Sequence, residues 1–189
     1  MDLDARLAFA TNIHLARDER QRLFDALWRE WYPRVEAYLR SYSCLSPEDR
    51  EELAGDTLLR AFERADRYRP ELPFEPWLIA IARRLALSRL RSAGRRKEYP
   101  TAPEDLRDTA DTRHRGPEGE CVREAERVEV AAFVRSLPDR ERELAFLVFG
   151  REMSLADAAR ATGSPLGTVK WRMSRIRARM RETLEVQDA

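Results

Sequence analysis

The sequence has little cysteine, little glycine and no long apolar run. Cys44 and Cys121 are its two cysteines, too few for a disulfide scaffold. Two lone thiols in a reducing compartment are expected to be free. Cys44, His114 and Cys121 fit no zinc-ligand spacing, so no metal site is expected. Seven glycines in 189 residues, with no alternating run of β-branched residues, leave nothing from which to build a sheet. No stretch is long and apolar enough to cross a bilayer, which excludes membrane insertion by a helix. The opening MDLDARLAFATNIHLARDER starts with acids and lacks the apolar core of a signal peptide. A cytoplasmic protein is therefore expected. The sequence also lacks a paired nucleophile and base and a phosphate-cradling glycine loop. No catalytic residue and no cofactor is expected, and His14 and His114 are expected in solvent.

What is present is helix-forming and charged. Ala, Leu, Arg and Glu dominate, and 43% of residues are hydrophobic against 37% charged. That composition predicts an all-α fold. The formal net charge is only +1, but its parts are segregated. Arg83, Arg84, Arg89, Arg91, Arg95, Arg96 and Lys97 form one positive block. From Glu98 to Glu126 acids prevail, large apolar residues are scarce, and Pro100, Pro103 and Pro117 interrupt the chain. This predicts an acidic, extended linker over 98–126 between helical domains at 1–97 and 127–189.

In the first domain, Leu23, Leu27, Trp31, Val35 and Leu39 recur near helical spacing, with Pro33 expected to kink or divide the helix. Ser46 and Pro47 predict the start of a second helix. Along it Ala54, Thr57, Leu58, Ala61, Phe62 and Ala65 form a buried stripe. Leu59 falls off the stripe, either as an isolated surface leucine or as a contact for a partner. Pro70, Pro73 and Pro76 mark a loop, and a third helix is expected from about Glu75, apolar at first and basic at its end. Trp77, on its apolar face, is read as core.

The segment SLADAARATGSPLGTVKWRMSRIRARM predicts two helices broken at Gly163, with Ser164 as cap and Pro165 as the first residue of the second. Val169, Met173, Ile176 and Met180 make the inward stripe of that second helix. At about 100° per residue, Gly167, Trp171, Ser174 and Ala178 point away from it. Cations flank both sides. A mostly small-residue ridge with cationic flanks is what a helix needs to enter a DNA groove. Thr168, Lys170, Trp171, Ser174 and Arg175 are the candidates for base contact. Arg172, Arg177, Arg179 and Arg181 are the candidates for phosphate. A solvated basic face, or a surface for an acidic protein, is the alternative.

These residues carry a family resemblance. LPDRERELAFLVFGREMSLADAARATGSPLGTVKWRMSRIRARMRETL resembles the C-terminal DNA-binding domain of bacterial RNA polymerase sigma factors. Leu137-Pro138, Gly167-Thr168-Val169-Lys170 and the arginine-rich tail fall on the family pattern. EELAGDTLLRAF is similar to the helix that grips the polymerase clamp. FEPWLIAIARRLALSRLR is similar to the helix after the promoter-melting loop. With no further domain before or between these two, the chain resembles the extracytoplasmic-function group. It departs from the pattern at Gly55, where Gln is usual, at Arg84, where Asn is usual, and at Ser88, where an acid is usual. Gly55 weakens its helix by up to ~1 kcal/mol relative to alanine.

The resemblance implies a sigma factor whose partners are core RNA polymerase, promoter DNA and an anti-sigma factor. It implies that Glu52, Asp56, Leu59 and Arg60 dock on the polymerase. The C-terminal domain would bind the upstream promoter element as duplex. The N-terminal domain would hold the downstream element as it opens, with Tyr68, Arg69 and Phe74 at a pocket and Arg83, Arg84, Ser88, Arg91, Arg95 and Arg96 along the strands. A linker of about 29 residues extends to about 95–100 Å, enough for two elements roughly 70 Å apart. A stand-alone helix-turn-helix regulator is the alternative reading.

Overall fold

The computed structural model describes residues 9–10, 14–96, 130 and 132–185, with the backbone alone at 94–96 and 184–185. The expected linker 98–126, with Cys121 and His114, lies outside these residues. Every regular element described is helical.

Helix α1 spans Arg17–Leu39 and buries Leu27, Trp31, Val35, Tyr38 and Leu39 on one face. It runs unbroken through Pro33, contrary to the expected division. Pro33 lies on the exposed side, as does Arg29, whose carbonyl loses the proline's missing N–H. On that side the freed carbonyl is open to solvent instead of being buried unpaired, which lets the helix continue. Helix α2 spans Pro47–Glu63. Ser46 caps it, its hydroxyl accepting the Asp49 N–H at 3.1 Å, and Pro47 occupies the first turn. Leu53, Ala54, Thr57, Leu58, Ala61 and Phe62 are buried along it. Thr57, the polar member, satisfies its hydroxyl on the Leu53 carbonyl at 2.6 Å.

The departure at Gly55 has a packing reason. A Cβ there would stand 3.4 Å from Cη2 of Trp28, whose ring stacks on Tyr32 at 5.2 Å. The bare backbone lets α1 and α2 close over the indole. A 3-10 turn, Ala65–Arg67, leads to the proline loop, and helix α3 spans Phe74–Arg96. Its buried side carries Phe74, Leu78, Ile79, Ala82, Leu85 and Ala86. The three helices pack pairwise into a small bundle.

The C-terminal unit has helix α4 (Asp139–Ala145), a π-helical turn (Phe146–Gly150), helix α5 (Leu155–Thr162) and helix α6 (Leu166–Glu185). Ser154 caps α5, its hydroxyl accepting the Asp157 N–H at 3.1 Å. Gly163 ends α5 at φ +61°, where a side chain would be strained. The carbonyl of Pro165 accepts the first α6 bond, from Val169 N–H, so the helix begins one residue later than expected. Val169, Met173 and Ile176 are fully buried against α4 and α5. Helix α5 also packs on α3, bringing the two units together.

The neighbours Leu58 and Leu59 test this arrangement. Leu58 is fully buried and Leu59 is 47% exposed. Leu58→Ala should destabilise the protein by about 2–5 kcal/mol, and Leu59→Ala by less than about 0.5 kcal/mol, both measured by urea unfolding.

Candidate nucleic-acid interface

The buried stripe of α6 sets which side chains face outward. Lys170, Trp171, Ser174, Arg175, Arg177 and Arg181 are exposed, while Thr168 and Arg172 are half-buried at the flanks. Base-contact and phosphate-contact candidates therefore share one accessible face. Two of its arginines have protein partners. Arg179 donates to Glu141 Oε2 at 3.0 Å, and Arg175 lies 3.9 Å from Glu141 Oε1. The Arg175 guanidinium also sits over the Trp171 ring, 4.8 Å from its centroid. Arg179, expected as a phosphate ligand, thus serves to tie α6 to α4. Its half-buried position and charged hydrogen bond account for that role.

The second basic surface lies on α3. Arg84, Ser88 and Arg91 are exposed along one side, and Arg69 is exposed in the preceding loop. The side chains of Arg95 and Arg96 fall outside the described residues. Three of the expected strand contacts are placed otherwise than on an open surface. Tyr68 and Phe74 are buried rather than presented to a strand. They belong to an aromatic cluster in which Phe74 meets Phe9 at 5.0 Å, Trp31 at 5.0 Å and Tyr68 at 5.3 Å. The Tyr68 hydroxyl donates to the Leu72 carbonyl at 2.6 Å, closing the proline loop. These rings shape the loop from beneath. Trp77 is half-buried at the edge of the same cluster, 5.1 Å from Tyr68.

Arg83 is the third. It pairs with Glu143 of α4 at 2.9 Å instead of facing outward. Glu143 is 3% exposed. It also accepts the Tyr38 hydroxyl at 2.6 Å and the Tyr42 hydroxyl at 2.9 Å. Three donors of the first unit thus converge on one buried carboxylate oxygen of the second. Arg151 to Glu75, at 2.7 Å, adds a second bridge between the units. Sequence reasoning missed Glu143, Glu141 and Glu75, because a glutamate on a charged helix reads as solvent-facing. The one available signal is spacing: Glu143 lies four residues before Leu147, on a buried face.

The expected polymerase-facing residues lie on α2. Leu59 and Arg60 are exposed, Glu52 is exposed, and Asp56 is half-buried. Glu52 bridges to Arg89 of α3 at 2.7 Å, and Arg89 also pairs with Asp49. The hydrogen bond that Arg89 donates to Glu52, and the charge of Asp49, raise the Arg89 pKa. That arginine belongs to the α2–α3 contact, not to the basic surface. Among the described residues no cluster of His, Cys, Asp and Glu could hold a metal ion. Among them, too, no helix is long and apolar enough to cross a membrane. Cys44 and His14 are exposed.

Comparison with known proteins places these surfaces in a family. Residues 27–96 match sigma-70 region 2, and residues 134–182 match sigma-70 region 4. The chain is 33% identical to the ECF RNA polymerase sigma factor SigM of Mycobacterium tuberculosis, over 96% of this chain and 84% of that protein. It is 32% identical to the ECF sigma factor EcfG of Rhodopseudomonas palustris, over 74% of this chain and 73% of that one. Its fold is similar to that of the sigma factor RpoE of Bartonella quintana, solved with the anti-sigma factor NepR, at TM-score 0.64 and 23% identity, covering 86% of this chain and 97% of that one. It is also similar to CnrH, solved with the cytosolic domain of CnrY, at TM-score 0.61 and 23% identity, covering 98% of this chain and 99% of that one. The chain belongs to the extracytoplasmic-function RNA polymerase sigma factors, and it directs promoter recognition.

The buried carboxylate makes the contact between units sensitive to alkali. Burial, then the charge of Glu143, raises the Tyr38 and Tyr42 pKa above the ordinary 10.0. The folded state therefore keeps two protons that the unfolded chain releases near pH 10, so stability falls as pH rises past that point. A thermal midpoint level from about pH 7 to 9 and declining above about 10 is expected. The decline should be shallower in the Tyr38→Phe/Tyr42→Phe variant, as read by calorimetry.

Proposed function

We propose that the chain divides its work as the two matched regions do in the family. The N-terminal domain, 1–97, binds the polymerase clamp and holds the downstream promoter element during melting. The C-terminal domain, 127–189, binds the upstream element as duplex, and 98–126 tethers them. The observation that carries this reading is the outer face of α6, a row of exposed cations set over a fully buried apolar stripe. Lys170, Ser174 and Arg175 then read base edges, with Trp171 beside them, while Thr168, Arg172, Arg177 and Arg181 steady the helix against the backbone.

On α2, Leu59 presents an apolar side chain between Asp56 and Arg60. We place the clamp contact there because this helix lies within the sigma-70 region 2 match and leaves Leu59 uncovered. On α3, Arg84, Ser88 and Arg91 follow the melted strand, with Arg69 at the loop. Arg83 joins them only when Glu143 releases it. Two elements roughly 70 Å apart and an Arg83–Glu143 pair at 2.9 Å cannot be satisfied together. Polymerase binding therefore has to part the domains. Their separation costs the burial of a carboxylate with three donors, which contacts to polymerase and DNA replace.

The chain acts in the cytoplasm, where the polymerase is, and is not a catalyst itself. Relatives of the same fold are held by anti-sigma factors. We infer such a partner for this chain, covering Leu59 and the basic faces. A stand-alone regulator is the less favoured reading, because such a protein has no use for the Leu59 surface.

Initiation from a promoter library with purified core polymerase tests the assignment. Defined start sites are expected with the chain and none without it. Sequence-specific DNA binding by the chain alone, unchanged by core polymerase, would favour the stand-alone regulator. Lys170→Ala/Arg175→Ala should weaken upstream-element use about 10–100-fold and leave core binding intact. Leu59→Ala should do the reverse, lowering affinity for core polymerase in a fluorescence titration.

A further inference from the structure

Trp171 has no role in holding the fold. At 57% exposure it is the most exposed large apolar side chain among the described residues. It stands on the outer row of α6, between Gly167 and Ser174, where small residues ease the approach to a groove. The buried stripe beneath is complete without it. A ring of this size in that row calls for a task at the DNA.

Its neighbour one turn on supplies the task. The Arg175 guanidinium lies 4.8 Å from the Trp171 ring centroid, and one of its terminal nitrogens points to Glu141, 3.9 Å away. Glu141 is itself buried and held by Arg179 at 3.0 Å. The ring face is therefore the close restraint on the guanidinium, and the Glu141 charge adds a longer-range attraction. Arginine reads guanine through two parallel donors aimed at O6 and N7, a geometry that tolerates little tilt. A free arginine loses much rotamer freedom in forming that pair, and a restrained one loses less.

We propose that Trp171 is a positioning residue, whose ring holds Arg175 in the orientation that selects a guanine in the upstream promoter element. This rests on the reading that α6 enters the major groove. Arg175 makes the base contact, and Trp171 acts through it. The ring's second effect is to keep water from the guanidinium face, so the free edge alone is left to meet the base.

The test is initiation by the full chain with core polymerase on a library randomised across the upstream element. Wild type, Trp171→Ala, Trp171→Phe, Arg175→Ala and Trp171→Ala/Arg175→Ala are compared for base preference at each position. Arg175→Ala should lower the preference for guanine at one position by about tenfold or more. Trp171→Ala should lower it at the same position by several-fold, with Trp171→Phe close to wild type. The double variant should be no worse than Arg175→Ala alone, since the ring acts through the arginine. Trp171 is exposed, so these variants should keep the thermal midpoint of the parent. Unchanged selectivity in Trp171→Ala overturns the proposal. So does a loss at a different base pair, which would make the ring a reader in its own right, or a double variant whose losses multiply. Failure of the wild type to start at any promoter would instead remove the sigma-factor reading itself.

Discussion

The rotational setting of α6 governs everything the C-terminal unit does. Val169, Met173 and Ile176 are fully buried, and turning the helix by one residue would bring a cation into their place. Burying an unpaired arginine costs several kcal/mol at least, so the register has no close competitor. The outward face is consequently fixed to within a fraction of a turn. A reader of base edges needs that fixity, because a bidentate contact fails with small tilts. The apolar stripe is thus as much a part of recognition as the residues that touch DNA. Gly163 and the Ser154 cap do the same for α5, which supports α6 from behind.

The acids that bring the net charge to +1 are not spread as a neutralising haze. Glu141 anchors Arg179, Glu143 takes Arg83, and Glu52 takes Arg89. Each removes one arginine from the basic surfaces and gives it a structural partner. What remains in solvent is a smaller set: Lys170, Arg175, Arg177 and Arg181 on α6, and Arg84 and Arg91 on α3. Arg83 differs from the others because its partner belongs to the other unit. It can face either a carboxylate or a phosphate, both anionic oxygen acceptors of similar geometry. Glu143 in this respect imitates the ligand that Arg83 is expected to hold on DNA. With the units together, the chain offers fewer positive charges to a non-specific duplex than its sequence suggests.

Much of this was legible in the sequence, for reasons that can be named. Helical periodicity with no competing strand signal made the all-α fold plain. Ser46-Pro47 carried the start of α2, since a cap is a local property of the chain. The α6 face could be drawn from spacing alone. The failures share a different cause. Tyr68 lies in a loop and Phe74 at the first position of α3, where no period yet tells buried from exposed, and their burial comes from Phe9 and Trp31, distant in sequence. Arg83 sits in a run of cations, and its partner is 60 residues away. Pro33 did not divide α1 because the exposed side of a helix tolerates a missing donor. Contacts between distant segments decided Tyr68, Phe74 and Arg83, and a single sequence holds no record of them.

The same reasoning explains why one chain carries two modest basic surfaces in place of one strong one. Electrostatic attraction to phosphate is indifferent to sequence and weakens steeply with salt. A sigma factor with a single large cationic face would spend its time on non-promoter DNA. Dividing the charge between units, and covering Arg83 with Glu143, keeps each surface weak until both are aligned on one template. On the proposed division of work, alignment then adds the two contributions through effective concentration. On the proposed reading, specificity arises from the requirement that both surfaces be satisfied together, and the polymerase, docked where we propose at the α2 face around Leu59, supplies the frame on which that is possible.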